Sequence, residues 1–151
     1  MKIVVNRCFG GFSLSAKAVK RLAELQGRKC FFFKCDIKNS SYTPIEIDED
    51  RFGSMAFDIP NPNEVLRNQK HWMDMTIEER IEQNKLYGKH ELTSRPENRA
   101  DPLLVQVVEE LGIEADGLCA DLEIVEIPDG IDWEVEEYDG METIAEKHRT
   151  W

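Results

Sequence analysis

The hydrophobic pattern changes period several times along the chain, and each change marks an element. Residues 2–6 (KIVVN) are a short β-branched run bounded by polar residues, which predicts a buried strand. The paired glycines of CFGGFS interrupt it. From 15 to 27, SAKAVKRLAELQG places Ala18, Val19, Leu22, Ala23 and Leu25 on one side of a helix, with Ser15 as N-cap and Gly27 at the expected end. CFFFKCD (30–36) predicts a second strand, so the chain opens as strand, loop, helix, strand. Residues 37–63 are rich in turn formers, and PIEI and SMAFDI within them suit a hairpin. A helical pattern resumes at Asn63; Thr76 and Glu79 have the spacing of a capping box, and Gly88 marks the expected end. DPLLVQVVEELG (101–112) is a strongly signalled helix, with Asp101 as cap, Pro102 at its first position and Gly112 closing it. LCADLEIVEI (118–127) and IDWEVEEY (131–138) predict strands joined in hairpin fashion by Pro128-Asp129-Gly130. The closing METIAEKHRTW reads as a short helix or an extended tail. The sum is one α+β domain over residues 1–151, a mixed sheet of four to five strands with about three helices packed mainly on one side.

Composition narrows the class. With 151 residues and 41% hydrophobic content, the chain suits one globular domain with a real core. No apolar run approaches the ~20 residues of a membrane helix. The start of the chain shows neither the apolar region nor the cleavage site of an exported protein, so a cytoplasmic location is expected.

The net charge of −11 hides a split: residues 1–38 hold nine basic and two acidic side chains, the remaining 113 hold ten basic and twenty-eight acidic. Between Asp101 and Glu146 there are sixteen carboxylates and no Lys or Arg. Such acidity opposes direct binding to nucleic acid. The basic third either binds a small anion or neutralises the acidic remainder within the fold. Cys8, Cys30, Cys35 and Cys119 form no CxxC pair, and His71, His90 and His148 are scattered. Reduced thiols are therefore expected, with no metal and no cofactor.

Two segments carry candidate chemistry. In NRCFGGFSLS (6–15) a strand feeds a glycine loop and then a helix, the general layout that offers backbone N–H groups and a positive dipole end to phosphate. The candidate ligand-binding residues there are Asn6, Arg7, Gly10, Gly11, Phe12, Ser13 and Ser15. Neither a P-loop nor G-x-G-x-x-G is present, and a tight turn with a packed Phe12 and an ordinary serine cap explains the same letters. At the other end, His148 suits proton transfer, Arg149 an anion clamp and Trp151 a stacking face. A docked tail with Trp151 buried is the simpler explanation. No nucleophile pairs with His148, and no catalytic residue is assigned. The carboxylate-dense stretch (Asp121, Glu123, Glu126, Asp129, Asp132, Glu134, Glu136, Glu137, Asp139) reads first as a solvated sheet face, then as a surface for a partner, and last as a metal cluster.

The opening MKIVVNRCFGGFSLS, the central NRADPLLVQVVEELG and the closing IVEIPDGIDWEVEEYDGMETIAEKHRTW resemble a family of small bacteriophage and prophage proteins without an assigned activity. The resemblance covers about the first 28 and the last 55 residues, within the span of one domain. It implies an accessory protein that inhibits or sequesters a host component, cyclic-nucleotide defence messengers among them. The leading expectation is a binder of a nucleotide or nucleotide-derived signal, without turnover, through the Gly-Gly loop. An acidic inhibitor that imitates nucleic acid and docks on a host protein is the second. A phosphoesterase or transferase using His148 is the third. A homo-oligomer is compatible with each.

Overall fold

The computed structural model describes residues 1–36, 41–47, 54–66 and 72–147. In chain order its elements are β1 (Lys2–Asn6), α1 (Ala16–Leu25), β2 (Phe31–Asp36), β3 (Ser41–Ile45), β4 (Ser54–Phe57), α2 (Pro62–Val65), α3 (Ile77–His90), α4 (Pro102–Leu111), β5 (Leu122–Glu126), β6 (Trp133–Tyr138) and β7 (Met141–Glu146). Short 3₁₀ turns lie at 72–74 and 112–115. The fold class is α+β.

These elements gather into two compact units, one built from residues 1–26 and 94–151, the other from 27–93. In the first, Ile3, Val4 and Val5 of β1 are all fully buried, as an apolar strand without a polar face requires. β1 pairs antiparallel with β5, Val4 opposite Ile124. The Val4 N–H donates to the carbonyl of Arg99 at 3.0 Å. α1 buries Ala18, Val19, Leu22 and Ala23, α4 buries Leu104, Val105, Val107 and Val108, and the two helices pack together. β6 and β7 form an antiparallel ribbon, with β7 running beside β1.

The second unit is organised on β2, the centre of a three-stranded antiparallel sheet in the order β3–β2–β4. Phe33, Phe57 and Leu66 form its core, and the Phe57 ring meets Tyr42 and Tyr87 edge-on at 5.3 and 5.4 Å between centroids. Thr76 and Glu79 make the expected capping box on α3. At the other end of that helix His90 Nδ1 lies 2.8 Å from Asp58 Oδ1, while Arg28 donates to Asp58 Oδ2 through Nε and Nη2 at 3.1 and 2.9 Å.

Several expectations need correction. The strands make three small antiparallel sheets among the described residues, not one mixed sheet of four to five strands. β2 cannot extend β1 because both its edges are taken, and one side of β1 is closed by the backbone at Arg99. PIEI and SMAFDI contribute to β3 and β4, which flank β2 and do not pair with each other. The 128–130 turn joins strands that do not pair; β6 closes its hairpin with β7 across Asp139-Gly140. Residues 141–146 are thus a strand, not a helix or tail. The helix expected from Asn63 is broken into α2 and α3, and α3 continues to His90.

The charge split has a structural outcome. Arg7 pairs with Glu123, Lys17 with Glu114, Arg21 with Glu110 and the terminal ammonium with Asp129. Basic residues of the opening segment are therefore neutralised by the acidic last third within the same unit. Each pair is partly or largely exposed, so it contributes more to pairing the right segments than to stability.

Candidate functional site

The site is built where β1 ends. Asn6 is wholly buried and uses its amide on three segments at once. Its nitrogen donates to the carbonyls of Cys8 and Gly140, each at 2.6 Å, and its oxygen accepts from the Asp121 N–H at 2.8 Å. The loop after β1, the entry to β5 and the β6–β7 turn are thereby held in register. The glycines allow the chains to come this close. A Cβ on Gly10 would lie 1.9 Å from the Cys119 carbonyl oxygen, and one on Gly140 would lie 2.4 Å from the Gly11 nitrogen.

Beneath this loop lies a buried ion pair. Glu142 is 5% exposed; its Oε2 accepts from the Asn6 N–H at 3.0 Å and its Oε1 from Arg99 Nη2 at 2.9 Å. The Arg99 guanidinium carbon stacks 3.3 Å from the centre of the buried Phe12 ring, a cation–π contact in a partly dry setting. Burial pulls the Arg99 pKa down, while the Glu142 carboxylate acts in the opposite direction. Arg99 Nη1 is buried and makes no hydrogen bond among the described residues. The wall therefore contains unused donor capacity, which is costly to leave unmet.

A cleft of about 430 Å³ opens against these residues, within the roughly 300–1,000 Å³ of small-ligand sites. One wall is the Phe9–Phe12 loop, with the Phe9 ring 61% exposed. Arg95 and Arg99 supply cationic groups, while Glu137, Asp139 and Glu142 supply carboxylates from the β6–β7 ribbon. Glu137 Oε1 also accepts from the Gly140 N–H at 2.9 Å and so fixes the turn at the cleft edge. The cleft thus combines an aromatic face, two guanidinium groups and a carboxylate side, which suits an anionic ligand that also carries hydrogen-bond donors.

Of the residues singled out from the sequence, Gly10, Gly11 and Phe12 line this cleft. Asn6 shapes it from below. Arg7 does not line it; its Nε donates to Glu123 at 3.1 Å and its Nη1 to the Glu142 carbonyl at 3.2 Å. The Ser13 carbonyl accepts from the Gly117 N–H. Ser15 caps α1, accepting from the Ala18 N–H and donating to the Glu114 carbonyl at 2.6 Å. The expected order of strand, glycine loop and Ser15-capped helix forms, but the cleft opens beside the glycines and not at the helix N-terminus. Residues 12–15 intervene, and the start of α1 rests against residues 114–115. His148, Arg149 and Trp151 lie outside the described residues, and so does their expected role.

Sequence reasoning gave no site role to Arg95, Arg99, Glu142 or the turn at Asp139-Gly140. The turn had a signal, an Asp-Gly pair between two strand-length segments. Arg99 and Glu142 are separated by 43 positions, and no local pattern announces such a pair. Among the described residues no group of three or more His, Cys, Asp or Glu side chains converges as a metal site does. No family model, curated protein or solved structure matches the chain.

Proposed function

We propose that this protein binds a small phosphorylated ligand of the nucleotide class in the cleft beside the Gly10–Gly11 loop, without turning it over. The observation that carries the reading is the meeting, in one cleft, of an exposed Phe9 ring with the Arg95 and Arg99 guanidinium groups. Arginine recognises phosphate bidentately, and an exposed aromatic ring offers a stacking face to a base. The unpartnered Arg99 Nη1 adds a donor that an oxyanion can satisfy after a small movement of the side chain. The carboxylates opposite suit the exocyclic amines of a base. The phosphate-holding role expected of Arg7 passes in this reading to Arg95 and Arg99. With the resemblance to phage proteins, such binding amounts to sequestration of a host nucleotide signal.

Calorimetric titration with nucleoside monophosphates, cyclic nucleotides and inorganic phosphate tests the proposal. Phe9→Ala is expected to weaken nucleotide binding about tenfold, in line with the loss of one stacking contact, and to leave phosphate binding and the melting temperature unchanged. Arg95→Ala is expected to weaken both ligands. Equal binding by both variants and the native protein would overturn the assignment of the cleft.

A second reading, an acidic decoy for a host protein, is favoured by the exposure of Glu134 and Glu136 at alternate positions of β6. Charge reversal at both should then abolish capture of that partner, and salt should weaken it.

A further inference from the structure

The second unit carries a helix face that its own fold does not use. α3 turns residues 79, 80, 83, 86, 87 and 90 toward partial burial, while Ile77 and Ile81 stay 71% and 48% exposed. Ile77, Ile81, Asn84 and Gly88 follow one another at spacings of four, three and four, a single stripe along the exposed side. Trp72 and Met73, 44% and 73% exposed, extend apolar surface just before the helix. Gly88 lies inside a helix, where glycine is unfavourable, yet nothing lies within 4 Å of where its Cβ would be, and its φ does not demand glycine. The fold gives no reason for a missing side chain at that position.

The charges beside the stripe say what fits on it. Glu78 and Glu82 occupy its flank in the first half of α3, Lys85 and Lys89 in the second, and all four are exposed; Glu82 and Lys85 pair within the helix at 2.9 Å, an exposed contact that exchanges readily for one across two copies. We propose that α3 pairs antiparallel with α3 of a second copy of this chain. In that arrangement Ile77 lies over Gly88 of the other copy, where the absent side chain allows close approach, and Ile81 lies over Asn84. Antiparallel pairing brings Glu78 and Glu82 opposite Lys89 and Lys85, twice over by symmetry. Parallel two-fold pairing would instead place this flank against the opposite one, Thr76, Arg80, Gln83 and Tyr87, and leave Glu78 and Glu82 away from Lys85 and Lys89. A partner of general acidity or basicity would match only half of the flank, whereas α3 run antiparallel supplies both halves in the matching order.

Sedimentation velocity on the whole chain over a dilution series tests this. The expected result is a mass that rises with concentration from 17.5 kDa toward twice that value, and that falls back as salt is raised. Glu78→Lys/Glu82→Lys and Lys85→Glu/Lys89→Glu should each be monomeric on their own, with unchanged circular dichroism. Mixed in equal amounts they should form a heterodimer. A native protein that stays monomeric at every concentration would overturn the proposal, as would double variants that dimerise alone or fail to pair when mixed.

Discussion

At the scale of single residues, buried polar groups hold together segments that are distant along the chain. Asn6→Ala removes a buried amide that serves Cys8, Gly140 and Asp121, leaving three part-buried backbone groups without that partner. The expected loss, read by urea denaturation, is on the order of 3 kcal/mol. Phe9→Ala, by contrast, should leave stability unchanged, because that ring is largely in water. Two carboxylates of the second unit set opposite pH dependences. Burial raises the Glu91 pKa, so the folded state takes up a proton more readily than the unfolded one and this contribution to stability grows as pH falls through the raised value. For Asp58, burial also pushes upward, but hydrogen bonds from His90 and Arg28 outweigh it and the net shift is downward from 3.8. The stability Asp58 contributes is therefore present above its ordinary value and lost as pH falls through the lowered one. Denaturation across pH should show Glu91→Gln more stable than the native chain at neutral pH, and Asp58→Asn with a shallower loss on the acid side.

At the scale of elements, the β6–β7 hairpin shows what was legible and what was not. Its turn is Asp139-Gly140, with φ of 50° and 87°, the left-handed pair that two-residue hairpins prefer. Gly130, φ 84°, has a similar conformation but open space where a Cβ would go, whereas Gly140 sits against Gly11. Gly130→Ala should cost about 1–2 kcal/mol for the backbone alone, and Gly140→Ala clearly more, with the cleft wall displaced as well. Thermal melts of the two variants separate conformation from crowding. The strand at 2–6, the caps of α1, α3 and α4 and the alternation in β6 were readable because they are local. METIAE was misread because Met, Glu and Ala favour helix locally, while pairing with WEVEEY and packing beside β1 decide the matter. The same reason hid the sheet arrangement, since which edge β2 offers to which strand is settled by β3 and β4 closing on it from both sides. Only the loop half of the cleft could be read; Arg95, Arg99 and Glu142 enter through tertiary packing.

At the scale of the whole molecule, a chain of net charge −11 pairs Arg7, Lys17 and Arg21 of its basic opening segment internally and places Arg95 and Arg99 in one cleft beside Glu137, Asp139 and Glu142. That distribution favours a small anion over a nucleic acid polymer, whose phosphates the acidic remainder would repel. Nucleotide binding is tested by mass spectrometry of the small molecules released by denaturing natively purified protein, run beside titration of the emptied protein with nucleotides. A nucleotide is predicted to be recovered with the native chain and to be absent from the Phe9→Ala/Arg95→Ala variant, both proteins giving the same circular dichroism once emptied. An empty native chain that also takes up no nucleotide in titration would contradict nucleotide binding.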